Sequence, residues 1–208
     1  MGNSIAQFDE LMPTERRLLE RLNSPFKIQR FLDDLGYDLE PEGPRCRSPR
    51  LVMRDAVAHC MSGALMAAAA LSYHGDPPLL VDLAAVRDDD HVLAVFRRKG
   101  LWGAVAKSNY SGLRSREPVY RTLRELVMSY FEHYYNLRGE KTLRGYSRPV
   151  NLDRFRQKLW ISAPKDVWFI PEYLCEIGHF AIAPETSIRM LNRMDRRLFA
   201  AGRLGAAH

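Results

Sequence analysis

The sequence predicts one α+β domain in which a cysteine-bearing helix packs on a small antiparallel sheet, with further helices before and after this core. Three observations carry the prediction. Residues 52–73 are dominated by Ala, Met and Leu and run into His74-Gly75-Asp76-Pro77-Pro78, which reads as a well-buried helix with a Gly-Pro stop. Residues 79–86 are a short apolar run between breakers, the pattern of a buried strand. Residues 91–96 and 101–108 are two more β-type runs, joined by Arg97-Arg98-Lys99-Gly100, whose glycine suits a tight hairpin turn.

The flanking elements follow from similar signals. Residues 14–22 and 25–35 have the pattern of two short amphipathic helices. Pro41, Pro44 and Pro49 break regular structure repeatedly, so residues 40–49 are expected to be a loop, with Ser48-Pro49 as a cap and first turn. Residues 118–137 carry helical periodicity, with Leu123, Leu126, Val127, Tyr130 and Phe131 on one face. Residues 152–159 and 186–200 are also expected to be helical, with a short apolar segment at 168–170 between them. No internal repeat interrupts this order. At 208 residues and 46% hydrophobic, residues 1–208 are read as a single domain: N-terminal helices over 1–40, a core over about 50–145 and a C-terminal extension over 150–208.

Composition narrows the functional classes. No run of about 18 apolar residues occurs, so no membrane span is expected. The N-terminus lacks a cationic stretch followed by an apolar one, and Met1-Gly2 is followed at position 6 by Ala where a myristoylation motif wants Ser or Thr. Cys46, Cys60 and Cys175 form an odd set without CxxC spacing, which suggests neither a disulfide framework nor a zinc site. A reducing, cytoplasmic compartment fits, and there a thiol can remain a nucleophile. The formal charge of +6 comes with arginines at 45, 47, 50 and 54 and again at 189, 193, 196, 197 and 203. Without interleaved exposed aromatics these read as a solvated rim and a charged last helix, and not as a nucleic-acid footprint. No cofactor or resident metal is implied. Asp88-Asp89-Asp90 could hold a divalent cation, but three successive loop carboxylates read as solvated.

The chemistry centres on Cys60 and His91. A thiol nucleophile needs its thiolate, and a partner imidazole and a helix N-terminus are two ways of favouring it. Cys60 stands at the start of the Ala-rich helix, and His91 opens a strand 31 residues later. Cys60 should therefore lie within the first helical turn, near the His91 ring, with a pKa below the free value of about 8.5 that Cys46 and Cys175 do not share. The imidazole also needs an orienting group. If Lys99-Gly100 is a two-residue turn, His91 lies opposite Ser108. If the loop is 99–101, it faces Asn109.

At these residues the sequence resembles a known family. His59-Cys60-Met61-Ser62-Gly63-Ala64, Asp82-Leu83, Asp89-Asp90-His91-Val92-Leu93-Ala94-Val95-Phe96 and Gly100-Leu101-Trp102-Gly103-Ala104 resemble the core of transglutaminase-like proteins. Lys107-Ser108-Asn109-Tyr110 and Arg116-Glu117-Pro118-Val119-Tyr120-Arg121 resemble an uncharacterised subgroup of them. The resemblance implies a cysteine at a helix N-terminus set against a histidine and an acid or amide on adjacent strands. Carried over, it makes Cys60 the nucleophile and His91 the base of a cysteine hydrolase or acyltransferase acting on a protein, peptide or other amide or ester. No Asp occurs between His91 and Asp153, so Asn109, with Ser108 as reserve, is expected to replace the family's acid, as Asn does in papain-like enzymes. The missing acid also suits a second reading, a catalytically inactive binding or scaffold module on the same fold.

Overall fold

Proline, whose fixed φ suits a first helical turn, opens both α1 (Pro13–Arg21) and α2 (Pro25–Asp34), and Ser24 caps α2 by accepting from the Lys27 N–H. The computed structural model describes residues 5–207, so the Met1-Gly2 start lies outside the described residues. Both helices turn an apolar stripe inward, burying Leu19, Ile28 and Leu32 completely or nearly so.

Residues 52–73 are not one helix, contrary to expectation. Ser48 caps a short α3 (Pro49–Asp55), which stops at Ala56 in a left-handed conformation, φ 55°. Val57–Ala58 then forms β2, pairing in parallel with β1 (Gly36–Tyr37). The helix restarts as α4 (Cys60–Tyr73), because His59 offers an N-cap acceptor to the Met61 N–H. This restart places Cys60 at a helix start. From Met61 to Ser72 every residue of α4 is buried, as expected for a helix apolar on all sides.

The strands β3 (Leu79–Ala85), β4 (His91–Arg98) and β5 (Leu101–Val105) form an antiparallel meander. Arg98 pairs with Leu101 across a two-residue turn, and Lys99 and Gly100 both have positive φ (50° and 82°) as that turn requires. The sheet is larger than expected. With β6 (Arg116–Tyr120), β7 (Leu143–Ser147), β8 (Val150–Asn151) and β9 (His179–Ala181), its order is β6-β5-β4-β3-β7-β9, with β8 also pairing β3, and every pairing is antiparallel.

Two helix expectations are corrected, and a third, 152–159, is met in 3-10 form. Residues 118–137 divide into edge strand β6, a short α5 (Leu123–Met128) capped by Thr122, and a 3-10 turn over Phe131–His133. In β6, Glu117 and Val119 are exposed while Arg116, Pro118 and Tyr120 are half-buried, which is strand periodicity on an edge that tolerates proline. Residues 152–159 form a 3-10 helix over Leu152–Lys158, and the apolar 168–170 segment leads into α6 (Phe169–Glu176). Residues 186–200 split into α7 (Glu185–Ile188) and α8 (Arg196–Gly202), the latter restarted by Asp195, which accepts from the Arg197 and Leu198 N–H groups.

The sheet is covered on both faces. Leu80, Val92, Ala94 and Phe96 pack against α4 and the N-terminal helices. Val81, Leu83, Leu93 and Val95 pack against Leu126, Val127, Tyr130 and Tyr134. Among the described residues no helix is long and apolar enough to cross a membrane.

Candidate active site

Cys60 is the first residue of α4, at the position where backbone N–H groups have no intrahelical acceptor. The preceding His59 ring is pinned at both nitrogens. Nδ1 accepts from the Met61 N–H at 3.1 Å, so Nε2 carries the proton and donates to the Arg45 carbonyl, with Glu40 Oε1 3.3 Å away. Cys60 Sγ lies 3.9 Å from His59 Nδ1 and 3.8 Å from the Asp90 carbonyl oxygen.

His91, buried at the start of β4, lies opposite Leu83 of β3. Its Nε2 is 2.9 Å from the Leu113 carbonyl oxygen. A carbonyl only accepts, so the proton sits on Nε2 and the Nδ1 lone pair is left for the thiol. The Tyr134 ring stands edge-on to the imidazole at 6.4 Å, and its hydroxyl donates to the Asp89 carbonyl at 2.7 Å, steadying the segment that leads into β4.

Asn109 does not orient His91. Its amide forms two hydrogen bonds to Ala207 near the C-terminus, Nδ2 donating to the carbonyl at 3.1 Å and Oδ1 accepting from the N–H at 2.7 Å. Ser108 is buried at the cleft, and its Oγ accepts from the Tyr110 N–H at 3.0 Å. The reason lies in the hairpin. The pairing of β4 with β5 ends at Ala94 and Val105, and the Gln29 side chain takes both backbone groups of Ala106 where the ladder would continue. Lys107 is then drawn inward, Nζ donating to the Leu32 and Leu35 carbonyls at 2.6 and 2.7 Å. The hairpin register is the two-residue one, but the polar side chains beyond residue 105 leave the strand before they reach the imidazole. The orienting acceptor is a backbone carbonyl, Leu113.

The electrostatics single out one thiol of three. Burial alone would raise the Cys60 pKa, but hydrogen bonding and charge from His59 and His91 outweigh it and pull the value down to about 6. Burial pushes Cys46 up to about 12 and also raises Cys175. Burial works against charging His59, yet the hydrogen bond and charge of Cys60, with the Arg45 carbonyl and Glu40, raise its pKa. Tyr37, brought beside α4 by the β1–β2 pair, has its phenol pKa raised by burial and then by the Cys60 charge.

Cys60 opens into a cleft of about 400 Å³ walled by Tyr37, Leu39, Tyr110 and Tyr134. The acidic loop on its rim is occupied with its own backbone: Asp88 accepts from the Thr142 hydroxyl and the Asp89 N–H, and Asp90 accepts from the Ala85 N–H. Among the described residues no group of three His, Cys, Asp or Glu side chains is arranged to hold a metal ion. Cys60 and His91 line the same cleft, close enough for His91 to lower the thiol pKa, and Ser108 and Asn109 stay on the cleft wall with other partners. The sequence reading gave no role to His59 or to Leu113. A histidine directly before an Ala-rich helix is a legible N-cap signal, whereas a main-chain carbonyl leaves no mark in the sequence. No protein-family model matches the chain, and neither does any curated protein.

Proposed function

We propose that the protein is a cysteine-dependent hydrolase or acyltransferase with a transglutaminase-like core, acting on an amide or ester through a Cys60 thioester. The observation that carries the reading is a half-buried thiol at a helix start, set between two imidazoles and pulled down to about 6. In the first step the Cys60 proton passes to His91 Nδ1 and the thiolate attacks the substrate carbonyl carbon. The Met61 N–H is committed to His59, so the Cys60 N–H is the helix-start donor for the oxyanion. Collapse breaks the carbonyl bond to the leaving amine or alcohol, which takes the proton from His91. His91 then accepts a proton from water or an amine as it attacks the thioester, and the thiolate leaves. The Leu113 carbonyl performs the orienting part of the missing acid's work, since it fixes tautomer and ring position without adding a full charge. That supports the active reading over an inactive module.

The experiment is acylation by p-nitrophenyl acetate followed by mass spectrometry. Expected is an acetyl group on Cys60 that turns over in water and faster with an added amine, is absent in Cys60→Ala and forms more slowly in His91→Ala. An unacylated Cys60, or an acyl-enzyme that never turns over, sinks the reading.

A further inference from the structure

A second pocket, of about 630 Å³ against about 400 Å³ for the Cys60 cleft, lies between the β3–β4 loop, the 140–144 segment and β9 with α7, and it shares no lining residue with the cleft. Five cationic side chains line it against two carboxylates, Glu140 and Glu185. Three of the cations are neutralised within the chain. Arg87 pairs with Glu140 at 3.1 Å, Lys141 with Glu132 at 2.6 Å and Arg189 with Glu185 at 3.5 Å.

Arg144 and Arg193 are not neutralised. The half-buried Arg144 guanidinium donates only to the Lys141 and Leu143 carbonyls, at 3.0 and 2.8 Å, and has no carboxylate within ion-pair distance among the described residues. Burial and then repulsion from Arg87 work against its charge and outweigh the attraction of Glu185 and Glu140. Arg193 is exposed at the mouth and makes no hydrogen bond or ion pair among the described residues. A partly desolvated guanidinium facing a cavity with a surplus of positive charge is stabilised by an anion entering it.

We propose that this pocket binds a small phosphate-bearing ligand, with Arg144 and Arg193 as its free cationic contacts. Guanidinium forks match phosphate oxygens two at a time, and a multiply charged phosphate fits the surplus better than a single carboxylate. The volume falls within the range of small-molecule sites. The lining contains no aromatic side chain on which a base could stack, which favours a phosphorylated sugar or a short polyphosphate over a nucleotide. The Cys60 cleft cannot be the anion's site, because its ionisable lining includes five carboxylates and no lysine or arginine.

The test uses the full chain and pyrophosphate as probe, titrated calorimetrically with sodium chloride holding ionic strength constant. Expected is saturable one-to-one binding that weakens about tenfold or more in Arg144→Gln, since charge-assisted bonds are lost. Arg193→Gln, which removes no hydrogen bond or ion pair among the described residues, should weaken it severalfold, and the exposed α1 variant Arg17→Gln should bind like the parent. Arg193→Gln keeps the proposal decidable should Arg144→Gln fail to fold. No saturable binding by the parent protein, or equal affinity in Arg193→Gln and the parent, overturns it.

Discussion

Replacing His91 by Ala should change the reactivity of Cys60 in opposite directions at low and high pH. The fall of the thiol from 9.0 to about 6 is a net of about 4 kcal/mol in favour of the thiolate, which His59 and His91 together supply beyond the cost of burial. If His91 supplies half, the variant's thiol should titrate near pH 7.5. At pH 6 the thiolate fraction then drops from about one half to about 3%, roughly 15-fold. A more basic thiolate is intrinsically more nucleophilic, with a Brønsted slope of about 0.4–0.5, and this restores about fivefold. Alkylation of His91→Ala should thus be about threefold slower than that of the parent at pH 6 and about fivefold faster at pH 9. The assay is pulsed iodoacetamide labelling between pH 4.5 and 9.5, with the three cysteine peptides quantified by mass spectrometry. Cys175, exposed and with its pKa raised, serves as the unactivated reference, and Cys46 should stay unlabelled while folded. A depressed thiol pKa gives labelling that persists as pH falls and is lost only below about 6. Rate curves for parent and variant that never cross, or a Cys60 that labels no earlier than Cys175 at pH 6, would refute an imidazole-stabilised thiolate.

Three further outcomes follow from the same geometry. His59 has two separable roles: His59→Ala should lose the N-cap, about 1 kcal/mol and a fall of a few degrees in Tm, while His59→Asn keeps the cap, and both should raise the pH at which Cys60 labels. Asn109→Ala should leave the labelling midpoint of Cys60 unchanged, since its amide holds Ala207 and not His91; a midpoint moved upward would restore the orienting role that the structure takes from it. Gly63→Ala should destabilise the protein by about 1–2 kcal/mol in urea unfolding. The new Cβ would stand 2.4 Å from Lys107 Cβ, an atom fixed close to the backbone, and this overpacking outweighs the roughly 1 kcal/mol of helix propensity gained.

What could be read in the sequence was whatever a local pattern determines. Leu79–Ala85, His91–Arg98 and the Lys99-Gly100 turn declare themselves, because a run of apolar residues between breakers and a glycine in a two-residue loop act over a few positions. Leu143–Ser147 did not, since Arg144, Gly145 and Ser147 lack strand character and the segment is a strand only because β3 and β9 flank it. Residues 118–137 misled for the opposite reason. Their helical spacing is real within Leu123–Met128, but pairing with Trp102 and Ala104 claims the residues before it.

The site divides along the same line, and the division says where sequence patterns can be expected to carry mechanism. Side-chain chemistry was legible: a cysteine before an Ala-rich helix and a histidine at a strand start could be paired on spacing and resemblance, and the fold sets both at one cleft. A carboxylate or amide side chain is the orienting group that a sequence can display. A histidine needs an acceptor for its second N–H, however, and every residue carries one on its main chain. In this chain the Gln29 side chain ends the β4–β5 ladder at Ala106, the strand diverges, and the 3-10 turn over Ser111–Leu113 swings the Leu113 carbonyl to His91 Nε2. The orienting acceptor is therefore set by where a strand stops, which depends on a side chain 77 residues away from Ala106. A neutral acceptor adds less to an imidazolium than a carboxylate would, and the second imidazole, His59, also lowers the thiol pKa.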